Sequence, residues 1–396
     1  MPALRATSAA RGAILVAGAL ASVAAVACSL VTHAYDYATA PPESPAPPAI
    51  CSFCPQHPEL LHAPCPDGGA AGDDGTYFYA VKSFDFGSHH DEWVLDNTTY
   101  TAGLDLDCSD RKPSGAPVLC RAVNSGAWTQ PLPKGVDNAF AQQILSPLLY
   151  PSGAAADAGP LDLQGPANHW IALGLGGLVI VVDHWNGQAD DPQIGFRFLA
   201  AVGPESGGPP RFTQDERWNV YARGYDPPLP DGGQGLPYGF TPPVAGYVTG
   251  GSLVADMRSA GTLRFRLGNA RGGAMDLEPD QVEGSGVINP IQFPAFSVAG
   301  ILDPTVNQPS VEQLAQVAAS CASADVGLID RITSYLDLAP DMPSSSSASP
   351  SAVCTRVSFG MSLVALRIAG VDATMGDPPS ANGACHDGGT SDGSGE

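Results

Sequence analysis

Five oxygen-bearing side chains form the pattern in this sequence best suited to bind a metal ion. Asp105 and Asp107 alternate with leucines, and an extended strand would place both carboxylates on one face. Asp110 follows closely, and Asp137 and Asn138 come later in a Gly-Val-Asp-Asn run. Calcium prefers hard oxygen ligands in a flexible geometry. The pattern predicts a calcium site without the glycine and glutamate of an EF-hand, and the alternative is a solvated strand edge.

Asp137 and Asn138 also have a structural interpretation. Asp137 is a favourable helix N-cap, and Phe140 and Ile144 have the i, i+4 spacing of one helix face. Pro147 would end such a helix. The same residues therefore predict a short helix in which the polar pair caps the first turn.

A second acidic stretch follows the most apolar part of the chain. The run His169–Val182 is rich in β-branched residues and predicts a buried strand, and a second strand is predicted near Ile194–Leu199. An Asn-Gly turn signal between them predicts a hairpin with a long acidic tip. Aromatic residues in loops could stack against sugar rings, so we expect glycan binding at four residues of this tip and of a later aromatic island. These residues are Trp185, Asp190, Asp191 and Trp218.

The histidines of His169-Trp170 and His184-Trp185 are the most catalytic in appearance, but geometry rather than presence defines a catalytic histidine. The sequence contains no Gly-x-Ser-x-Gly elbow, His-Glu-x-x-His pair or phosphate-binding Gly-rich lysine loop. We therefore predict no catalytic residues and expect a binding or structural module rather than an enzyme. The alternative is an exported hydrolase that acts on polysaccharide.

Three of these features together resemble a set of uncharacterised predicted lipoproteins of myxobacteria. They are Gly-x-Asp-x-Asp at 103–107, Gly-Val-Asp-Asn at 135–138 and Trp-Asn-Gly-Gln-Ala-Asp-Asp at 185–191. The resemblance covers about 76–385 and includes the late cysteines. It implies export and a shared fold, and it implies no activity.

The amino terminus has the layout of a secretory signal peptide. Arg5 and Arg11 precede an uncharged apolar run that ends at Ala27, and Cys28 follows the small residues. This order resembles a bacterial lipobox, so we expect residues 1–27 to be removed and Cys28 to be lipidated. Cleavage at the same place by the ordinary signal peptidase is the alternative. The expected location is the bacterial cell envelope, as an outer-membrane or cell-surface lipoprotein.

Charge and cysteine content support this location. The net charge of −22 argues against nucleic acid, which requires basic patches, and leaves carbohydrate or an envelope component as the expected partner. Of the nine cysteines, eight remain if Cys28 carries the lipid, enough for four disulfides in an oxidising compartment. Proximity in sequence favours the pair Cys108–Cys120, and we expect Cys321–Cys354 to brace the C-terminal region.

These residues must be positioned by a fold rich in strands and turns. The chain contains 46 glycines and 38 prolines, and its alternating segments predict an all-β, mainly antiparallel β-sandwich of jelly-roll or concanavalin-like type over 76–385. A small α-helical insertion is expected at about 310–338. Residues 28–75 are expected to form a Pro/Gly-rich tether with a cysteine-bearing segment, and 386–396 a disordered tail. Further strands are predicted at 77–81, 84–86, 247–257, 263–267, 273–277, 296–302 and 357–368.

Overall fold

The computed structural model describes the parts of the chain that build one domain, all within the compact unit Pro47–Glu396. The described residues are 75–87, 102–104, 106, 120, 137–149, 162–221, 244–258, 263, 265–268, 274–304, 326–342 and 353–374.

Twelve strands and four helical segments are defined in these residues. The strands are β1 (Tyr77–Asp85), β2 (Gly177–Asp183), β3 (Asp191–Pro204), β4 (Arg217–Tyr221), β5 (Val244–Thr249), β6 (Ser252–Asp256), β7 (Phe265–Gly268), β8 (Ala274–Leu277), β9 (Pro279–Asn289), β10 (Gln292–Leu302), β11 (Val357–Ile368) and β12 (Gly370–Thr374). The helical segments are a π-helix (Phe140–Leu145), α1 (Ser146–Leu149), α2 (Gln164–Ala172) and α3 (Val326–Leu338).

Eight antiparallel strands close into a barrel in the order β3-β2-β1-β11-β10-β9-β6-β5, because β3 pairs with both β2 and β5. The predicted all-β, mainly antiparallel class is confirmed, but the sheet forms a barrel rather than a clear jelly-roll sandwich. The reason is β3, whose 14 residues pair with β5 along one half of an edge and with β4 along the other. Alternation in a sequence specifies the faces of a strand but not both of its neighbours.

Aromatic side chains fill the inside of the barrel. Tyr79, Phe196, Phe198, Phe296 and Phe359 are all buried in one continuous apolar cluster. The rings of Phe196 and Phe198 lie 5.1 Å apart, and those of Phe196 and Phe296 lie 5.2 Å apart. An eight-stranded barrel is just wide enough for side chains to fill. The interior is therefore a packed core.

A second apolar layer covers part of the outer face. Outward side chains of β1, β2 and β3, including Ala80, Val179 and Val181, form a separate buried cluster with Trp218 of β4. Strand β12 pairs in parallel with β4 and completes this layer. The outer layer explains why neighbouring residues of β2 are all buried, as its uninterrupted apolar sequence predicts.

The two ends of the barrel differ in the length of their connections. At one end, which we call the hairpin end, β1 begins and three short connections, 184–190, 250–251 and 290–291, join consecutive strands. At the other, the insertion end, the connections span 86–176, 205–243, 257–278 and 303–356. All of the long insertions therefore emerge on one side of the barrel.

One predicted strand is partly helical. Helix α2 occupies Gln164–Ala172, so His169 and Trp170 lie on a helix, and the strand begins only at Gly177. Tertiary hydrogen bonds hold this helix against the end of β1: the Asn168 side chain bonds both the N–H and the C=O of Phe84, each at 2.9 Å. Such long-range bonds have no local sequence signal.

The structure corrects the predicted cysteine pairing and describes part of the predicted helical insertion. Helix α3 lies within the expected 310–338 segment, whose first part is outside the described residues. The disulfide joins Cys120 to Cys354, with the Cα atoms 5.2 Å apart, rather than joining either cysteine to its neighbour in sequence. Cys108 and Cys321 are outside the described residues. Proximity along the chain predicted the wrong partner for Cys120, because the fold brings together residues separated by 234 positions.

Candidate functional site

The predicted calcium ligands divide into two groups. Asp137 and Asn138 are described and lie at the insertion end, just before the π-helix. Asp105, Asp107 and Asp110 are outside the described residues. Among the described residues, no group of three or more histidine, cysteine, aspartate or glutamate side chains could hold a metal ion.

The Asn138 side chain forms hydrogen bonds with backbone groups of several segments. Its Oδ1 accepts hydrogen bonds from the N–H groups of Ala141 and Gly360, both at 3.1 Å. Its Nδ2 donates to the carbonyls of Phe86, Ala102 and Gly360 at 2.9, 2.8 and 3.2 Å. Both lone pairs of the amide oxygen are thereby used. The oxygen that calcium would need is therefore already bonded within the fold.

The Asn138 side chain also caps the helix that was expected to begin with Asp137. The bond from Ala141 N–H to Asn138 Oδ1 is a cap of i, i+3 type. Pro147 does not end the helical segment, because the chain continues through α1 to Leu149. The N–H of Ser146 bonds the carbonyl of Ala141, a π-type turn.

Asp137 holds the short segment 102–106 against the barrel. Its N–H donates to the carbonyl of Leu104 at 2.9 Å, and its Oδ2 accepts from the N–H of Leu106 at 2.8 Å. The segment approaches β11 so closely that a Cβ on Gly360 would lie 2.6 Å from the Cα of Gly103. Asp137 therefore bonds Leu106, which lies between Asp105 and Asp107 in the sequence.

A buried serine and an aspartate extend this network, and no motif in the sequence predicts either. Ser358 Oγ donates to Asp341 Oδ2 at 2.6 Å and accepts from the N–H of Ala139 at 2.8 Å. The N–H of Ser358 bonds Asp341 Oδ1 at 2.7 Å. The serine is fully buried. This arrangement positions a helix against a strand and leaves the hydroxyl without access to a substrate.

The acidic tip between β2 and β3 forms the predicted hairpin, but its tryptophan belongs to the core. Trp185 is 1% exposed, and its indole N–H donates to the carbonyl of Gln188 at 3.0 Å. Asp191 is fully buried and accepts from the N–H groups of Asn186 and Gln193 at 2.9 and 3.1 Å. The ring of Trp185 therefore cannot stack against a glycan, and Asp191 shapes the loop.

Asp190 connects this loop to its neighbour. Its Oδ1 accepts from the N–H of Gly250 at 2.8 Å, and the N–H of Gly251 donates to the carbonyl of Ala189 at 2.8 Å. Two of the hairpin-end connections are thus joined by hydrogen bonds. The observed role of Asp190 is structural.

Trp218 is also inaccessible. It is 0% exposed beneath the outer layer, and its indole N–H donates to Glu216 Oε2 at 3.3 Å. The same buried carboxylate accepts from the N–H groups of Arg211 and Phe212 at 3.0 and 2.8 Å. Glu216 therefore organises the β3–β4 loop, and Trp218, like Trp185, is buried.

Two carboxylates that the sequence did not single out lie side by side on β6 and β9. Asp256 and Glu283 are cross-strand partners and are both buried. Arg258 bonds Asp256 through two nitrogens, at 2.8 and 2.6 Å, and lies 3.6 Å from Glu283. The hydrogen bond from Asp256 raises the pKa of the Arg258 guanidinium, and Glu283 adds to this effect against the opposing effect of burial. Asp256, Glu283 and Arg258 therefore form an ion cluster on the barrel wall. This cluster does not support the hydrolase alternative.

Two tyrosines of the wall are equally inaccessible. Burial raises the pKa of Tyr247 to about 12 and raises that of Tyr79 further. The hydroxyl of Tyr79 donates to the carbonyl of Asn289 at 3.0 Å. Neither phenol is suited to proton transfer near neutral pH.

Comparison with protein-family models, with curated proteins and with solved structures finds no match to this chain. Within the described part of the chain, the helices are too short or too polar to cross a membrane.

We predict that Asn138→Ala lowers the free energy of unfolding by about 4 kcal/mol, because several buried backbone groups would lose their partner at once. Asn219→Ala on the outer strand β4 is the matched control and should cost less than about 1 kcal/mol. Guanidinium unfolding followed by circular dichroism measures both values. Equal costs for the two variants would contradict the central role given to Asn138.

Proposed function

We propose that this protein is an exported bacterial lipoprotein, anchored to the envelope membrane through Cys28, whose barrel is a binding or structural module without catalytic activity. The amino-terminal leader supports the anchor. One observation supports the noncatalytic part: four buried polar residues at the two ends, Asn138, Asp191, Glu216 and Ser358, bond the protein's own backbone. Groups held in this way serve the fold rather than a reaction.

The insertion end is the proposed binding surface. Binding residues concentrate on loops that a rigid scaffold positions, and every long connection of this barrel is at that end. Its proposed ligand is a neutral carbohydrate or another envelope component, because a net charge of −22 opposes anionic ligands.

Trp170 supports the carbohydrate proposal. Its indole is only partly buried on α2, whereas Trp185 and Trp218 are in the core. A Cβ on Gly268 would lie 2.6 Å from the ring, so the ring packs directly against that glycine. A tryptophan fixed in this manner loses little freedom when a ligand contacts it.

Calcium stabilisation is a further part of the proposal. Asp137 bonds the N–H of Leu106, and that contact supports a site shared with Asp105 and Asp107, which flank Leu106. Asn138 is not among the ligands now proposed.

We expect Cys28→Ala to release the protein from the membrane fraction, because a lipidated cysteine is the proposed attachment. Fractionation and mass spectrometry of the mature chain measure the outcome. Wild-type protein should begin at a lipidated Cys28, and the control Cys385→Ala should stay in the membrane fraction. A mature chain that retains residues 1–27 would refute the anchor.

For carbohydrate binding, we expect Trp170→Ala to reduce retention on immobilised neutral polysaccharide. Loss of one aromatic stacking partner should weaken binding by about tenfold or more. Tyr221→Ala, on the outer strand β4, is the control and should bind as wild type. Equal retention of the Trp170→Ala and wild-type proteins would show that the site lies elsewhere.

For calcium, we expect millimolar Ca²⁺ to raise the melting temperature of the chelator-treated protein. A ligand bound only by the native state stabilises it by mass action. Asp137→Asn should reduce the increase, because it removes one anionic oxygen. Identical melts with calcium and with chelator would remove calcium from the proposal.

A further inference from the structure

The hairpin end exposes two large apolar side chains on one hairpin. Val287 is 50% exposed and Ile291 is 59% exposed, and both lie where β9 turns into β10. The neighbouring Ile288 points into the core, which fixes Val287 on the outer face. A single exposed aliphatic residue is ordinary on a protein surface. Two on the same protruding turn provide a small apolar tip.

The turn that presents this tip is rigid. Asn289 Oδ1 accepts hydrogen bonds from the N–H groups of Ile291 and Gln292, both at 2.9 Å, and Pro290 fixes its own backbone angle. Two hydrogen bonds from Arg367 of β11 hold the turn from the side. Its side-chain Nη1 donates to the carbonyl of Pro290 at 3.1 Å, and its backbone N–H donates to the carbonyl of Ile291 at 2.8 Å. Because the turn is already ordered, Ile291 stays exposed without a further loss of conformational entropy.

The chain enters the barrel beside this tip. Tyr77, the first residue of β1, lies under the guanidinium of Arg367, 4.5 Å from the ring centroid. Tyr79, two residues later, bonds the carbonyl of Asn289 in the same turn. The segment that connects the barrel to Cys28 thus begins at the end that carries Val287 and Ile291.

We propose that the β9–β10 turn, through Val287 and Ile291, docks into the interfacial layer of the membrane that holds the lipid anchor. This inference rests on the proposed anchoring at Cys28. Two side chains bind a bilayer weakly by themselves, but an anchor converts docking into an intramolecular event with a high effective concentration. The net charge of −22 specifies a zwitterionic rather than an anionic lipid surface.

Docking at this end fixes the orientation of the barrel. The insertion end, which is opposite to the hairpin end, then points away from the bilayer. The long connections that carry the proposed binding surface would face away from the membrane, and the short connections would face the lipid.

Hydrogen exchange of the full lipidated protein on phosphatidylcholine vesicles tests the proposal. The comparison is the Cys28→Ala protein mixed with the same vesicles. We expect exchange in residues 286–292 to be slower by about tenfold in the anchored protein, because docking shields the backbone amides of this turn from water and suppresses their local opening. Adding anionic lipid should weaken this protection.

The double variant Val287→Ser and Ile291→Ser should stay on the vesicles but lose the protection. Leu175→Ser is the matched control, because Leu175 is also 50% exposed but lies at the insertion end, and it should keep the protection. An anchored protein with unprotected 286–292 would overturn the docking and leave the anchor intact. Protection that increases with protein concentration without vesicles would also overturn it, in favour of a second copy of the chain. Failure of wild-type protein to remain on the vesicles would instead refute the anchor.

Discussion

The pairing of β3 with both β2 and β5 is the constraint on which the structure depends. It removes the sheet edges that an open sandwich would leave and closes a space that aromatic side chains fill. Closure also sets the direction of each barrel strand. Because all eight are antiparallel, their connections must alternate between the two ends, and the chain has placed short turns at one end and long insertions at the other.

The buried polar groups explain how the insertions are attached. Asn138 satisfies backbone groups from β11, the π-helix, the segment around Ala102 and Phe86, the residue after β1. Ser358 with Asp341 joins β11 to the residues after α3. The disulfide between Cys120 and Cys354 adds a covalent connection near the start of β11. Buried polar groups are costly unless they are fully bonded, so these contacts favour one arrangement of the insertions.

This division of the barrel connects the fold to the proposed function. The hairpin end has rigid, mutually bonded turns, an apolar tip and the point where the chain enters the barrel. The insertion end has the longer connections and the partly exposed Trp170. In the proposed function, an anchor at one end would let the barrel present a binding surface at the other end in a constant direction.

Local pattern determined much of the strand content. The alternation of Val357, Phe359, Met361 and Leu363 predicted β11 with its observed bounds, and the Asn-Gly signal predicted the β2–β3 hairpin. The glycine-rich polar strand β9 was missed, and the Gly250-Gly251 turn divided a single predicted strand into β5 and β6. Each of these features depends on a few neighbouring residues, where side-chain periodicity and backbone preference act directly.

Tertiary structure alone decided the closure of the barrel, the partner of Cys120, the helix at His169 and the burial of Trp185 and Trp218. All of these features depend on residues far apart in the chain, so the local sequence does not predict them. A tryptophan beside an acidic turn has the same local sequence whether its ring is in solvent or in the core. Only the packing of distant strands determines which state has the lower free energy, and for this protein it placed the two most conspicuous aromatic residues in the core.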